Sequence, residues 1–243
     1  MKLAILSDIH GNLQALNAVL DVCKDRKVDK YVCLGDVVGY GADINACCDI
    51  IRELCDFTLL GNHDAAVIGA MEESYYYKEA KDAIRWTRDE LSEENLAWLF
   101  TLPFSAKIEQ ASFFHGAPLQ PSGFYYLVHA EDARMHLDVI SKLNRWNFVG
   151  HAHLTESFLL SGDSVRTITD KPVVPGKDEK ILANAGSVGQ PRDRNPDACF
   201  VLLDTDSELY EHIRVPYDIQ GAAQKIRDVG LSKRFSDRLE HGV

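Results

Sequence analysis

Five short polar motifs, each closing an apolar run, constrain this chain more than any other feature. They are Asp8-Ile9-His10, Gly35-Asp36, Gly61-Asn62-His63-Asp64, His115-Gly116 and Gly150-His151-Ala152-His153. Runs such as Lys2-Leu3-Ala4-Ile5-Leu6, Tyr31-Val32-Cys33-Leu34 and Phe57-Thr58-Leu59-Leu60 read as strands buried on both faces. In an open parallel sheet, ligand sites form at the carboxyl ends of strands. The chain must therefore fold so that residues from 8 to 153 reach one edge. The glycines before the motifs are expected to let the backbone turn sharply just ahead of each polar residue.

The intervening segments support that reading. Asn12 is placed to cap a helix carrying Leu13, Leu16, Val19 and Leu20, and Asp43 a second one carrying Ile44, Cys47, Ile50, Ile51 and Leu54. Residues 2–61 thus read strand–helix–strand–helix–strand, with parallel strands and right-handed crossovers. Residues 72–102 are charged and helix-forming, with Trp86 and Trp98 on buried faces, and Pro103 limits them. A helix is expected over 130–143 and a strand over 146–149. Strands follow over 156–160, 165–168, 180–183, 198–203 and 208–215, then a last helix over 219–229 and a polar tail. Residues 1–243 are expected to form one domain whose two halves each supply strands.

Composition excludes several classes. At 243 residues and 46% hydrophobic content, the chain can bury one α/β core. No apolar stretch approaches the roughly 20 residues that span a bilayer. Ser7-Asp8 cuts the first apolar run too short for a signal peptide, so a cytoplasmic protein is expected. The net charge of −11 disfavours duplex nucleic acid, although bound divalent metals would still attract a small phosphate ester. The six cysteines lack metal-binding spacing and read as buried thiols.

Taken singly, Asp36 or His115 would pass for an ordinary turn residue. Together, the imidazoles, carboxylates and one amide, without thiolates, suit divalent transition ions: manganese first, with iron, zinc, nickel or cobalt as alternatives. Seven candidate ligands among these motifs are too many for one ion with open positions. They suit two ions sharing a carboxylate, about 3.5–4 Å apart.

The order D-x-H, G-D, G-N-H-D, H, G-H-x-H resembles that of the calcineurin-like metallophosphoesterases, and it runs from Asp8 to His153. The resemblance implies a four-layer α-β-β-α sandwich of two packed mixed sheets. It implies one ion held by Asp8, His10 and His153, a second by Asn62, His115 and His151, and Asp36 bridging them. It also implies attack on phosphorus by a bridging hydroxide. His63 would donate a hydrogen bond or proton to the leaving oxygen, with Asp64 orienting that imidazole.

Two further stretches bear on the substrate. Protein serine/threonine phosphatases carry an arginine in G-D-x-V-D-R-G, whereas this chain reads Gly35-Asp36-Val37-Val38-Gly39-Tyr40-Gly41. That form is similar to a small bacterial and archaeal branch labelled as phosphodiesterases or diadenosine-tetraphosphatase-related. Asn184-Ala185-Gly186-Ser187-Val188-Gly189-Gln190-Pro191-Arg192 resembles N-P-G-S-x-x-x-P-R, with Ala185 for proline. Its Arg192 is either a phosphate ligand or a brace for the loop. Tyr75, Tyr76 and Tyr77 are either a lid or platform over the site or a plain helical cap. A small phosphate mono- or diester, nucleotide-like in type, is the expected substrate. A silent binding scaffold, a protein phosphatase and a nuclease are the alternatives.

Overall fold

A computed structural model describes residues 1–168 and 173–243. The parallel core begins with β1 (Lys2–Leu6), which leads through α1 (Leu13–Asp25) to β2 (Lys30–Cys33). From there α2 (Ile44–Leu54) leads to β3 (Phe57–Thr58). The three strands are parallel neighbours in that order. Because side chains alternate across a strand, Leu3 and Ile5 enter one core while Ala4 and Leu6 enter another. Asn12 caps α1 by accepting the Ala15 N–H at 3.1 Å. Asp43 makes no such cap, because its carboxylate is taken by the Lys225 ammonium at 2.8 Å, a charge-assisted bond stronger than a neutral one.

β3 is shorter than expected. The Leu60 N–H leaves the ladder for the Pro103 carbonyl as the chain turns into α3 (Asn62–Val67). Residues 72–102 resolve into a 3-10 turn, Glu73–Tyr75, followed by α4 (Lys78–Glu90) and α5 (Glu93–Leu99). Trp86 and Trp98 pack partly buried against the core. β4 (Ser105–Ile108) and β5 (Ala111–Phe114) form a hairpin. The helix expected over 130–143 breaks into α6 (Ala130–Arg134) and a 3-10 segment, Leu137–Lys142. Its cause is local: the His136 ring donates to the Asp132 carbonyl that an α-helix would offer the His136 N–H, which bonds Ala133 instead.

β6 (Trp146–Val149), β7 (Ser157–Ser161), β8 (Ser164–Ile168) and β9 (Lys180–Asn184) complete a second sheet, ordered β4-β5-β6-β9-β7-β8. β10 (Ala198–Asp204) and β11 (Leu209–Val215) return to the first sheet, ordered β11-β10-β1-β2-β3, with β10 antiparallel to β1. Both sheets are mixed. One core lies between them, joining Leu3, Ile5, Val32 and Val201 to Phe113, Phe148 and Ile181. A second packs α1 and α2 on the outer face of the first sheet, and a third covers the outer face of the other sheet. This is the expected four-layer sandwich.

The tail is not a tail. After α7 (Ile219–Asp228), residues Lys233–His241 form α8. Phe235 and Leu239, one turn apart, are buried against Ala222, Ile226 and Tyr40. Full burial of each is worth about 1.5–3 kcal/mol. Two apolar residues in a polar nine-residue helix are a faint sequence signal. All six cysteines are free thiols, five of them buried. Among the described residues, no helix is long and apolar enough to cross a membrane.

Candidate metal centre

The loops after β1, β2, β3, β5 and β6 bring Asp8, His10, Asp36, Asn62, His115, His151 and His153 to one place, all buried. The sharp turning occurs at the polar residues themselves. Asp8, His10, Asp36, His151 and His153 all have positive φ, from 48° to 65°. Such backbone costs about 1–3 kcal/mol per non-glycine residue and persists only where its surroundings hold it. The Asp8 N–H donates to the Gly35 carbonyl and the His10 N–H to the Asp36 carbonyl, both at 3.0 Å, tying the first two loops together. At Gly35 (φ +107°) glycine supplies the turn, as expected. Gly61 has an ordinary φ of −85° and is needed for room, since a Cβ there would lie 2.1 Å from Asp36 Oδ1.

Hydrogen bonding leaves a row of bare acceptors. His10 Nδ1 donates to the Val38 carbonyl at 3.0 Å, and His153 Nδ1 to the Gln190 carbonyl at 2.5 Å. A carbonyl can only accept, so both rings are aimed with the Nε2 lone pair inward. Those two nitrogens face each other at 3.2 Å. Asp8 Oδ1 lies 3.3 Å from His153 Nε2 and has no hydrogen-bond partner, while Asp8 Oδ2 accepts from Ser7 Oγ and the His151 N–H. Three buried acceptors converge without a donor, an arrangement that a cation relieves.

A second group adjoins the first. His115 Nδ1 donates to the Leu34 carbonyl at 2.9 Å, and its Nε2 lies 3.1 Å from Asn62 Oδ1 and 3.4 Å from Asp36 Oδ2. The same Asp36 Oδ2 is 3.8 Å from His10 Nε2, so it faces both groups. Asp36 Oδ1 accepts the His63 N–H at 2.7 Å. Asp8-His10-His153 and Asp36-His115-His151 each offer three ligand atoms within 4.8 Å of one another. Both donor sets therefore fit divalent transition ions.

Charge is distributed accordingly. Burial lowers the pKa of His10 and His153 far below that of a free imidazole, and that of His151 to about 3. These rings are neutral, the state a metal ligand requires. His115 is the exception. Burial opposes its charge, but the Asp36 carboxylate overrides burial and lifts its pKa to about 9. A proton on His115 Nε2 occupies the place a metal would take.

His63 and Asp64 need separate treatment. The His63 ring is wedged between Tyr40 (4.4 Å between centroids), Tyr76 (5.2 Å) and His10 (5.1 Å). Its Nδ1 has no hydrogen-bond partner. The Asp64 carboxylate does not reach it, contrary to the orienting role expected for that residue. Asp64 accepts the backbone N–H groups of Asp36 (2.8 Å), Gly61 (3.0 Å) and Val38 (3.2 Å). A carboxylate at the third position of α3, facing three unpaired donors, satisfies them before it can turn to a side chain. Asp64 thus holds the loop that aims Asp36, and aromatic packing holds His63.

The 184–192 stretch wraps the first group. Ser187 Oγ and the Gly189 N–H both donate to the Asp8 carbonyl at 2.9 Å, and the Arg192 N–H donates to the His153 carbonyl at 3.1 Å. The Arg192 guanidinium lies 5.7 Å over the Tyr40 ring, and its buried Nε is unpartnered. A cavity of about 270 Å³ opens over the site. Tyr76, Tyr77, Tyr126, Arg192 and Arg238 line it beside His63 and His151. Tyr126 stacks on His151 at 3.9 Å, and Tyr76 bonds both the side chain and the carbonyl of Asn62. Sequence reasoning flagged the tyrosine run 75–77 but missed Tyr126 and Arg238, which stand outside any motif.

Two mixed sheets, packed face to face and sharing an edge of buried carboxylates and imidazoles, define a metal-dependent phosphoesterase architecture. The chain belongs to the calcineurin-like phosphoesterase family, whose model matches residues 1–196. An uncharacterized protein of Methanocaldococcus jannaschii is 37% identical over 243 residues, covering 98% of this chain and 96% of the relative. The crystal structure of a metallophosphoesterase from Sphaerobacter thermophilus is similar with a TM-score of 0.85 and 30% identity, covering 100% of this chain and 99% of the other. A hypothetical protein from Pyrococcus horikoshii shares the fold, with a TM-score of 0.79, 18% identity and coverage of 100% and 98%.

Proposed function

We propose that this chain hydrolyses a small organic phosphate mono- or diester, with phosphodiesterase-like character, using two divalent transition ions. Asp8, His10 and His153 would hold one ion, Asn62, His115 and His151 the other, and Asp36 both. The observation that carries this reading is the convergence of bare, buried His10 Nε2, His153 Nε2 and Asp8 Oδ1 next to the Asp36-centred group. When bound, the ions supply charge that activates water and neutralises phosphoryl oxygens, and manganese is the first candidate.

The remaining chemistry belongs to side chains. His63 stands at the cavity wall as the group facing the leaving oxygen. Burial, with the Arg192 charge as a further cause, lowers its pKa to about 4, so the ring is neutral at pH 7 and acts as a hydrogen-bond donor. Arg192 supplies a guanidinium over Tyr40, which stands where protein phosphatases carry their motif arginine. The cation absent from that motif is thus replaced from the 184–192 loop, and Arg192 is proposed to bind the phosphate. The aromatic walls fit an organic substituent better than a bare phosphate. Metal-loaded protein is expected to cleave bis-p-nitrophenyl phosphate and to stop when chelator is added. Absence of chelator-sensitive cleavage with manganese, nickel, cobalt and iron would overturn the reading.

A further inference from the structure

The matched family region ends at residue 196, yet α8, at residues 233–241, contributes Arg238 to the cavity lining. Phe235 anchors that helix by packing on Tyr40 at 4.8 Å, and Tyr40 in turn packs on His63. The C-terminal end is fixed too: the Arg194 N–H donates to the Gly242 carbonyl at 2.8 Å. Between these anchors, Arg238 reaches the cavity and donates to the Tyr77 hydroxyl at 3.3 Å. The Arg234 guanidinium also lies over the Tyr77 ring, 4.9 Å from its centroid.

Two arginines line the cavity, Arg192 and Arg238. The chain has 37 acidic and 26 basic residues, so carboxylates to pair with are plentiful. Among the described residues, no carboxylate lies within ion-pair distance of either guanidinium, and their contacts are with Gln190, Tyr40 and Tyr77. Arg192 sits over Tyr40, beside the candidate ligands, and Arg238 sits with Tyr77. Two guanidiniums on one aromatic-walled cavity match two anionic groups on one ligand.

We propose that α8 is a substrate-recognition element, and that Arg238 with Tyr77 forms a subsite for a second anionic group on an organic phosphate that carries an aromatic ring. The first phosphate lies at the metal centre beside Arg192, the ring lies between the tyrosines, and the second anion meets Arg238. The subsite rests on the phosphoesterase reading for the place of the first phosphate.

Calorimetric binding of adenosine 5′-monophosphate and adenosine 5′-diphosphate separates the two ideas. Metal-loaded protein carrying His63→Ala is used, so that turnover does not interfere. The diphosphate is expected to bind at least tenfold more tightly than the monophosphate. Adding Arg238→Ala should bring that ratio close to one, and Arg238→Lys should retain part of it. Arg238 is half-buried with one long hydrogen bond, so an unchanged melting temperature should accompany the loss. Equal binding of both nucleotides to the Arg238 protein, or equal weakening of both by Arg238→Ala, would overturn the subsite. Failure of protein with His63 intact to cleave any phosphate ester would instead overturn the phosphoesterase reading, because the binding ratio does not depend on turnover.

Discussion

His10 Nε2 and His153 Nε2, from residues 143 positions apart, point their lone pairs at each other across 3.2 Å. Backbone carbonyls on the far side of each ring enforce this orientation. Asp8 Oδ1 completes the group, and no protein donor serves it. Such a cluster is stable when a cation fills it and strained when it is empty.

Metal content and stability should therefore move together. Two ions per chain are expected by elemental analysis of reconstituted protein, and chelator should lower the melting temperature. Asp8→Ala should lose one ion, while Asp36→Ala should lose both or bind them at least 10-fold more weakly, since its carboxylate faces both groups. Equal metal content in wild type and Asp36→Ala would contradict the shared role.

His63 and Asp64 are adjacent in sequence and should behave differently. His63→Ala is expected to keep both ions and lose about 10²–10⁴ in kcat, less for good leaving groups such as p-nitrophenolate. Asp64→Ala leaves three buried backbone N–H groups unpaired, each worth about 1–3 kcal/mol. It should lower the denaturation midpoint and metal affinity along with activity. A stable, metal-replete Asp64→Ala protein would contradict the bracing role.

His115 predicts the pH dependence. Its pKa of about 9 exceeds the ordinary 6.5, so in the metal-free chain its stabilisation is full below pH 6.5 and lost as pH rises through about 9. The melting temperature of metal-free protein should fall across that window from this group. A metal must displace the same proton, so metal affinity should rise up to about pH 9, by roughly tenfold per unit. Calorimetry in buffers of different ionisation enthalpy should register about one proton released per chain at neutral pH, and none for His115→Ala.

Gly39 should tolerate no side chain. Its φ is +92°, and a Cβ would lie 2.7 Å from His63 Nδ1. Gly39→Ala is expected to push the imidazole from between Tyr40 and Tyr76, losing at least tenfold in kcat while metal content stays near two ions. Wild-type kinetics in this variant would show that His63 does not need its present position.

Much of this was legible before folding was considered. The strand-end motifs located all seven candidate ligands, because a buried apolar run ending in Gly and a polar residue is a local pattern. The sequence over 130–143 reads as one helix, but His136 diverts the Asp132 carbonyl, a competition that no periodicity records. The last residues read as a polar tail because Phe235 and Leu239, which bury α8, make too small a stripe to stand out. The family resemblance implies that Asp64 orients His63, whereas its carboxylate accepts from the backbone N–H groups of residues 36, 38 and 61.

The order and chemical type of the motifs determined which family the chain resembles, and through that resemblance the expected layered architecture and candidate metal ligands, since motif order and residue chemistry are local properties of the sequence. Tertiary structure decided how those side chains are used. It set five of the seven candidate ligands on positive-φ backbone, turned the His10 and His153 lone pairs inward and left Asp8 Oδ1 bare. It also carried Arg192 and Arg238 to one cavity from outside the ligand motifs. The reason is that aim, strain and unpaired charge belong to contacts between distant segments, which exist only once the two sheets have closed on each other.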